Sequence, residues 1–340
     1  VQNEEQPFVS IIMPIRNEAG HLRRCLNSLF AGDYPQERIE YVLVDGESDD
    51  GTPQLLAEIA RERPNVVILR NPKRIVPPAL NLALAKAKGE YIVRVDAHTV
   101  YEPDYVRCCI ELLRSTGAAN VGGAQRAVGT DYVSSAIAIA TTSRFGAGDA
   151  KFRFSEQEAW VETVYLGAWR KQTLLDVGGF DDRFVVNQDY ELNHRIIKAG
   201  GRILLSPKIR CAYYVRPSLK KLARQYFRYG MWRVHTISEH PDSVRWRQLA
   251  PPALVAGLAI FGLLALGGLA WPFWLLGAFY LCATIFAAVA QCPQHGWRFL
   301  PILPVVFLTL HLAWGSGFVV GVFRFLLPRK LRVLDHERTG

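Results

Sequence analysis

The sequence predicts an α/β domain followed by membrane-spanning helices, and three observations carry that reading. Short apolar runs of β-forming residues alternate, through the first 215 residues, with stretches whose apolar side chains recur at helical spacing. Acidic side chains gather where those apolar runs end. From Leu249 to Leu327 the chain is almost continuously apolar, its only charges being Arg298 and Arg324.

Residues 8–15 read as a first strand, and Arg16-Asn17-Glu18 turns it into a helix with Leu22, Cys25, Leu26, Leu29 and Phe30 on one face. A second strand, 40–44, ends on Asp45, and Pro53 then takes a helix-start position ahead of the buried stripe Leu55, Leu56, Ile59 and Ala60. Residues 66–69 give a third strand, 78–88 a third helix and 90–95 a fourth strand, with Tyr91, Ile92, Val93 and Val95 as its β-forming run, that ends on Asp96. Side chains two apart in an extended chain share a face, so Asp96 and His98 are expected to reach one divalent cation together. Strand alternating with helix at this spacing predicts a parallel sheet wrapped by helices, with ligands bound beyond the carboxyl ends of its strands. The turn after the first strand has no G-x-G-x-x-G, which argues against a nicotinamide dehydrogenase.

A helix with Val106, Cys109, Ile110 and Leu113 inward precedes a strand at 118–128. The aperiodic, glycine-bearing stretch 141–158 suits either a mobile active-site loop or an ordinary surface loop. Residues 164–171 form a further strand, and a helix entered near Asn187, Gln188 and Asp189 stops at Gly200-Gly201. Strands at 202–206 and 209–216 close the domain.

From Ser218 onward Leu219, Leu222, Tyr226, Phe227, Val234 and Ile237 recur at helical spacing among Lys220, Lys221, Arg224 and Arg228, the pattern of an amphipathic helix in the lipid headgroup layer. Stretches 249–270 and 271–291 hold no charge and are long enough to cross hydrocarbon roughly 30 Å thick. A third, 299–327, is interrupted by Pro301, Pro304, Gly315 and Gly317, and either crosses or dips in and returns. A crossing would place Arg329, Lys330, Arg332 and Arg338 outside, against the positive-inside tendency. The expected organisation is an α/β domain at 1–216, an interface helix at 217–248, two or three spans at 249–328 and a basic tail at 329–340.

The net charge of +9 is concentrated ahead of the first span, with eight Lys/Arg from Arg216 to Arg247 against Glu239 and Asp242. That pattern fits attraction to membrane lipids; no nucleic-acid motif accompanies it, so nucleic acid is excluded as a partner. Six cysteines without a CxxC or a paired framework suit a reducing compartment, and the N-terminal residues carry no export signal. The first 215 residues are therefore expected to stay in the cytoplasm.

Val9-Ser-Ile-Ile-Met-Pro-Ile-Arg-Asn-Glu18, Val44-Asp-Gly-Glu-Ser-Asp-Asp-Gly-Thr52 and Gly89-Glu-Tyr-Ile-Val-Arg-Val-Asp-Ala-His98 resemble, in order and spacing, the signatures of family 2 inverting glycosyltransferases of the GT-A fold, especially the membrane-anchored, succinoglycan-type enzymes of exopolysaccharide assembly. The resemblance implies a GT-A catalytic domain with a Rossmann-like mixed sheet, nucleotide contacts from Pro14, Asn17, Glu18, Asp45, Lys73, Arg74 and Asp96, and a metal motif of Asp96 and His98. The family's usual second aspartate is His98 here, which tilts the expected cation toward Mn²⁺ over Mg²⁺. Gln188-Asp189 resembles the Glu-Asp motif whose aspartate is the catalytic base, with Asp181 and Asp182 as weaker rivals. Gln225-Tyr-Phe-Arg-Tyr229 resembles a Gln-x-x-Arg-Trp motif that contacts the acceptor, Tyr229 standing where Trp is usual, so that Gln225, Arg228 and Tyr229, with Trp169 and Gln188, are expected at the acceptor.

The implied activity is transfer of a hexose from a nucleotide diphosphate sugar, with UDP as the expected nucleotide, to a lipid-linked, polyisoprenyl-diphosphate saccharide. Alternatives are a polyisoprenyl-phosphate glycosyltransferase, a processive synthase and, from another class, a catalytically idle nucleotide-sugar-binding subunit of an assembly complex.

Overall fold

A computed structural model describes residues 6–148 and 150–326; the tail expected at 329–340 lies outside them. In chain order the elements are β1 (Val9–Ile15), α1 (Leu22–Phe30), β2 (Ile39–Asp45), α2 (Thr52–Glu62), β3 (Val66–Arg70), α3 (Val76–Lys86), β4 (Tyr91–Arg94), β5 (Thr99–Tyr101), α4 (Tyr105–Thr116), β6 (Asn120–Gly123) and β7 (Arg126–Val128). There follow α5 (Tyr132–Thr142), α6 (Arg144–Ala147), β8 (Ala159–Val161), β9 (Tyr165–Arg170), α7 (Lys171–Asp176), α8 (Gln188–Lys198), β10 (Ile203–Leu205) and β11 (Cys211–Tyr214). The chain ends in α9 (Leu219–Glu239), α10 (Ala250–Leu266), α11 (Trp271–His295) and α12 (Leu303–Gly321).

Among the described residues these elements form two compact units, one of 6–127 with 150–214, the other of 128–148 with 215–326. In the first, an eight-stranded sheet runs β3-β2-β1-β4-β9-β6-β10-β8. Its first four strands are parallel, as the alternation of strand and helix predicts, whereas β9 runs antiparallel to both β4 and β6. A second sheet, β5-β11-β7, pairs the residues just after the fourth strand with the end of the domain. Strand alternation divides the core: Ile11, Met13, Tyr41, Leu43, Tyr91 and Val93 pack with α1, α2 and α4, while Ile12, Val42, Val44 and Ile92 face α3, α7 and α8. Arg94 shares the parity of Ile92 and so points to the face that carries α8.

The second unit departs from the sequence reading in one place. Residues 128–149, expected within the catalytic domain and partly as a loop, contribute α5 and α6 to this unit instead. Asp131 caps α5 by accepting from the Ser134 N–H at 2.9 Å, and Ala136, Ile137, Ile139 and Ala140 are buried with Leu222, Tyr226, Leu303, Val306, Phe307 and Leu310. The apolar composition of the helix, rather than its position in the chain, decides where it packs.

Among the described residues three helices are long and apolar enough to cross a membrane: Trp246–Leu266, Trp271–His295 and Leu303–Leu326. The third is continuous, so it does not turn back on itself. Pro304 stands in its first turn, and Gly315 and Gly317 are close-approach positions: a Cβ on Gly317 would lie 2.0 Å from the Phe227 carbonyl oxygen, one on Gly315 2.4 Å from that of Pro251. Its partner α9 is amphipathic as expected, but its apolar side is covered by protein, with Leu222, Tyr226, Gly230 and Val234 buried. A Cβ on Gly230 would sit 2.1 Å from the Trp314 oxygen. The large apolar side chains left exposed on the spans, including Leu263, Leu266, Phe279 and Phe286, are those that hydrocarbon would cover, and Trp246, Trp271 and Trp297 mark helix ends.

Candidate active site

The loops leaving β1 and β2 are stitched into one surface. Asn17 has a left-handed backbone (φ 56°); its N–H donates to the Ser48 hydroxyl at 2.9 Å and its side-chain oxygen accepts from the Asp49 N–H at 3.0 Å. The Glu18 N–H donates to the Thr52 hydroxyl and the Ala19 N–H to Asp50, whose carboxyl is held below its usual range chiefly by the Thr52 hydroxyl. Ser48 in turn donates to Asp45 at 2.6 Å, fixing the carboxylate at the end of β2. Pro14 is half-buried inside β1, opposite Val44. Asp45 and Glu18 are thus oriented before any ligand arrives.

Lys73 and Arg74 are each tied to a carboxylate. Arg74 pairs with Glu47, which also holds Arg70 and whose acidity is raised first by the Arg74 hydrogen bond. Lys73 donates to Asp182 at 2.8 Å, and Asn81 clamps the same loop by donating to the Phe180 carbonyl and accepting from its N–H. The two rivals for the base therefore have other partners: Asp182 is held by Lys73 and Asn81, and Asp181 by Arg183. Burial works against the Asp181 carboxylate, and the Arg183 hydrogen bonds outweigh it to hold the group below its usual range.

After β4 the chain does not stay extended. The Thr99 N–H donates to the Asp96 carbonyl at 3.2 Å, closing a turn, and the Tyr101 hydroxyl accepts from the Asp96 N–H at 2.7 Å. Strand alternation therefore does not align Asp96 with His98, as the sequence reading assumed; a turn separates them. His98 lies 3.5 Å from Glu18 and edge-on to Tyr213, while Asp96 accepts from Arg94 at 3.3 Å. Among the described residues no group of three His, Cys, Asp or Glu forms a metal cluster. One carboxylate and one imidazole, each about a fifth exposed, are a donor set that fits a divalent cation completed by ligand oxygens.

Asp189 stands in the first turn of α8 and pairs with the other amino group of Arg94. A single guanidinium thus joins the carboxylate after β4 to the carboxylate that opens α8. Sequence reasoning missed Arg94, although a charge inside an otherwise apolar strand was a signal that a partner awaits it. It also missed Glu191, which is buried in α8 and binds Arg195, whose guanidinium donates to the carbonyls of Val177 and Gly179 and so shapes the approach to α8.

One expected acceptor residue is placed differently. Trp169 needs correction: it is 1% exposed, on the face of β9 that packs against α3, α7 and α8, edge-on to Phe180 at 6.2 Å, and offers no surface to an acceptor. Gln188 is half-buried beside Asp189. Gln225, Arg228 and Tyr229 stand on α9 in the second unit, Gln225 donating to the Tyr229 hydroxyl at 2.9 Å.

Acidic groups at the carboxyl edge of a half-parallel sheet, the antiparallel strand β9 beside its centre and a base candidate in the first turn of α8 define a nucleotide-sugar type of transferase fold. The chain belongs to glycosyl transferase family 2, whose model matches residues 10–180. It is 35% identical over 329 residues to the succinoglycan biosynthesis protein ExoA of Rhizobium meliloti, covering 95% of this chain and 96% of that one. It is 26% identical over 333 residues to a dolichyl N-acetyl-alpha-D-glucosaminyl phosphate 3-beta-D-2,3-diacetamido-2,3-dideoxy-beta-D-glucuronosyltransferase of Methanococcus voltae, covering 93% and 98%. Among solved structures, the mannosyltransferase PcManGT of Pyrobaculum calidifontis, determined with GDP-Man and Mn²⁺, superposes with a TM-score of 0.63 at 18% identity over 94% of this chain and 88% of that one.

Proposed function

We propose that this membrane glycosyltransferase moves a hexose from a nucleotide diphosphate sugar, with UDP as the nucleotide, onto a polyisoprenyl-diphosphate-linked saccharide in exopolysaccharide assembly, with inversion at the anomeric carbon. The observation that carries the reading is the joining of Asp96 and Asp189 through Arg94 at the carboxyl edge of the sheet, in a chain that also has three helices able to cross a membrane. The Methanococcus voltae relative is named for a sugar attached to a dolichyl phosphate, which favours a lipid-linked saccharide over a bare lipid phosphate as acceptor.

In this reading Pro14, Asn17, Glu18, Asp45, Lys73 and Arg74 form the nucleotide side. Asp96 and His98 hold a divalent cation, Mn²⁺ in preference to Mg²⁺, which when bound neutralises charge on the diphosphate leaving group. Asp189 takes the proton of the acceptor hydroxyl as that oxygen attacks, and the nearby Gln188 adds no second negative charge. Gln225, Arg228 and Tyr229 serve the acceptor. We place residues 1–216, less the helices at 128–149, as the catalytic domain on the cytoplasmic side of the bacterial inner membrane, where nucleotide sugars are made. The test is metal-dependent release of nucleoside diphosphate that rises when a lipid acceptor is supplied.

A further inference from the structure

Arg94 is 4% exposed, yet it sits in the last position of β4, in register with Ile12 of β1 and Gly167 of β9. Burying a guanidinium costs several kcal/mol unless its donors are satisfied by charge and geometry. Here one terminal nitrogen binds Asp189 Oδ1 and the other binds Asp96 Oδ1 at 3.3 Å, while Nε has no hydrogen-bond partner. The three groups together carry one net negative charge, two carboxylates against one guanidinium. Both carboxylates keep part of their surface, Asp96 20% and Asp189 31%, so each has a side open beyond Arg94.

We propose that Arg94 is the positioning residue of this active site, setting the base Asp189 and the nucleotide-side carboxylate Asp96 in one fixed geometry. The inference rests on the reading of Asp189 as base. The guanidinium fork holds one oxygen of Asp189 and leaves the second for the acceptor hydroxyl. In the step so arranged, the acceptor oxygen bonds to the anomeric carbon, its proton passes to Asp189, and the bond from that carbon to the diphosphate oxygen breaks with its electron pair leaving on the nucleoside diphosphate. Because the fork is anchored in the sheet, it fixes the distance between the attacking side and the leaving side. A lysine at this position keeps the charge, but its donors all sit on one nitrogen at the end of a flexible stem, so it cannot hold the two carboxylates at the separation the planar fork sets.

The experiment is a double-mutant cycle on the full-length protein in lipid nanodiscs, with Arg94→Lys, Asp189→Asn and the pair, measuring nucleoside diphosphate release from UDP- and GDP-hexoses with Mn²⁺ and a bacterial lipid extract, and Kd for UDP with Mn²⁺. Misplacement of a base by about 1 Å costs about 100-fold in turnover. The expected result is that Arg94→Lys lowers kcat about 100-fold and weakens the UDP Kd more than threefold, because Asp96 loses the same anchor, and that the double variant has a kcat no lower than Asp189→Asn alone and binds UDP as Arg94→Lys does. Should Arg94→Lys fail to fold, Arg94→Gln is read by the same criteria. A kcat within threefold of wild type, or losses that multiply in the double variant, would overturn the role of Arg94. Full activity in Asp189→Asn, or a wild-type protein that turns over no donor, would instead remove the reading on which it rests.

Discussion

At the carboxyl ends of β1, β2 and β4, polar side chains are held by other polar side chains: Ser48 on Asp45, Arg74 on Glu47, Lys73 on Asp182, Arg94 on Asp96 and Asp189. Along α9 and α12 the reverse holds, because backbones approach one another where side chains are missing, at Gly230 and Gly317. The first region exchanges local stability for directed charge, since each pair must offset desolvation. The second gains van der Waals contact that works in lipid, where water supplies no driving force. Damage to the first should therefore cost mainly activity, with small changes in stability, whereas damage to the second should cost mainly stability.

The largest effect expected from this contrast is at Asp189. Replacing it by Asn, whose amide oxygen can still accept from Arg94, should lower kcat about 10³-fold, within the range a positioned base supplies, while the protein still folds and melts only a few degrees lower. A larger fall in melting would blur the distinction. Gly317→Leu should act the other way. Overpacking costs about 1–3 kcal/mol, so the melting temperature should fall by several degrees while the protein that remains folded binds UDP with Mn²⁺ at unchanged affinity. An unaltered melting temperature would mean that the helices are not in close contact in the membrane.

A smaller effect is expected from Glu47. Its carboxyl is held below its usual range by Arg74 and Arg70, so the clamp is fully formed above the unfolded-state value and is lost as pH falls through the lowered one. Wild type should lose more thermal stability than Glu47→Gln as pH drops below about 4.5, and the two should differ by a constant amount above it. Parallel curves through the acid range would show that the clamp contributes nothing.

Much of the first unit was legible in the sequence because its signals are local. Apolar runs with Asp45 and Asp96 at their ends locate the crevice, and Pro53 marks the start of α2 where the structure has it. The parts that were not legible depend on distant partners. Strand alternation suggested that Asp96 and His98 share a face, but Tyr101 and Thr99 fold the chain between them into a turn. Trp169 is aromatic and near the motif residues, yet its parity on β9, set by pairing with Ile92, turns it into the core. The amphipathic period of α9 was clear, whereas its covering by α12 is announced only by Gly230 within the helix. In the sequence 118–128 read as strand and 141–158 as loop, and most of α5 is left unassigned, because the polar residues of this short helix, Ser134, Ser135, Thr141 and Thr142, lie toward its ends and no polar face marks its period.

The central claim is tested most directly by purified protein reconstituted in membranes and given UDP- and GDP-sugars, with Mn²⁺, Mg²⁺ or EDTA, in the presence and absence of a bacterial lipid extract. Metal-dependent release of nucleoside diphosphate from one donor, several-fold faster with the extract and with the sugar recovered in the lipid-soluble fraction, is the predicted result. Nucleotide-sugar binding without turnover under every condition would contradict it and leave a nucleotide-sugar-binding subunit in its place.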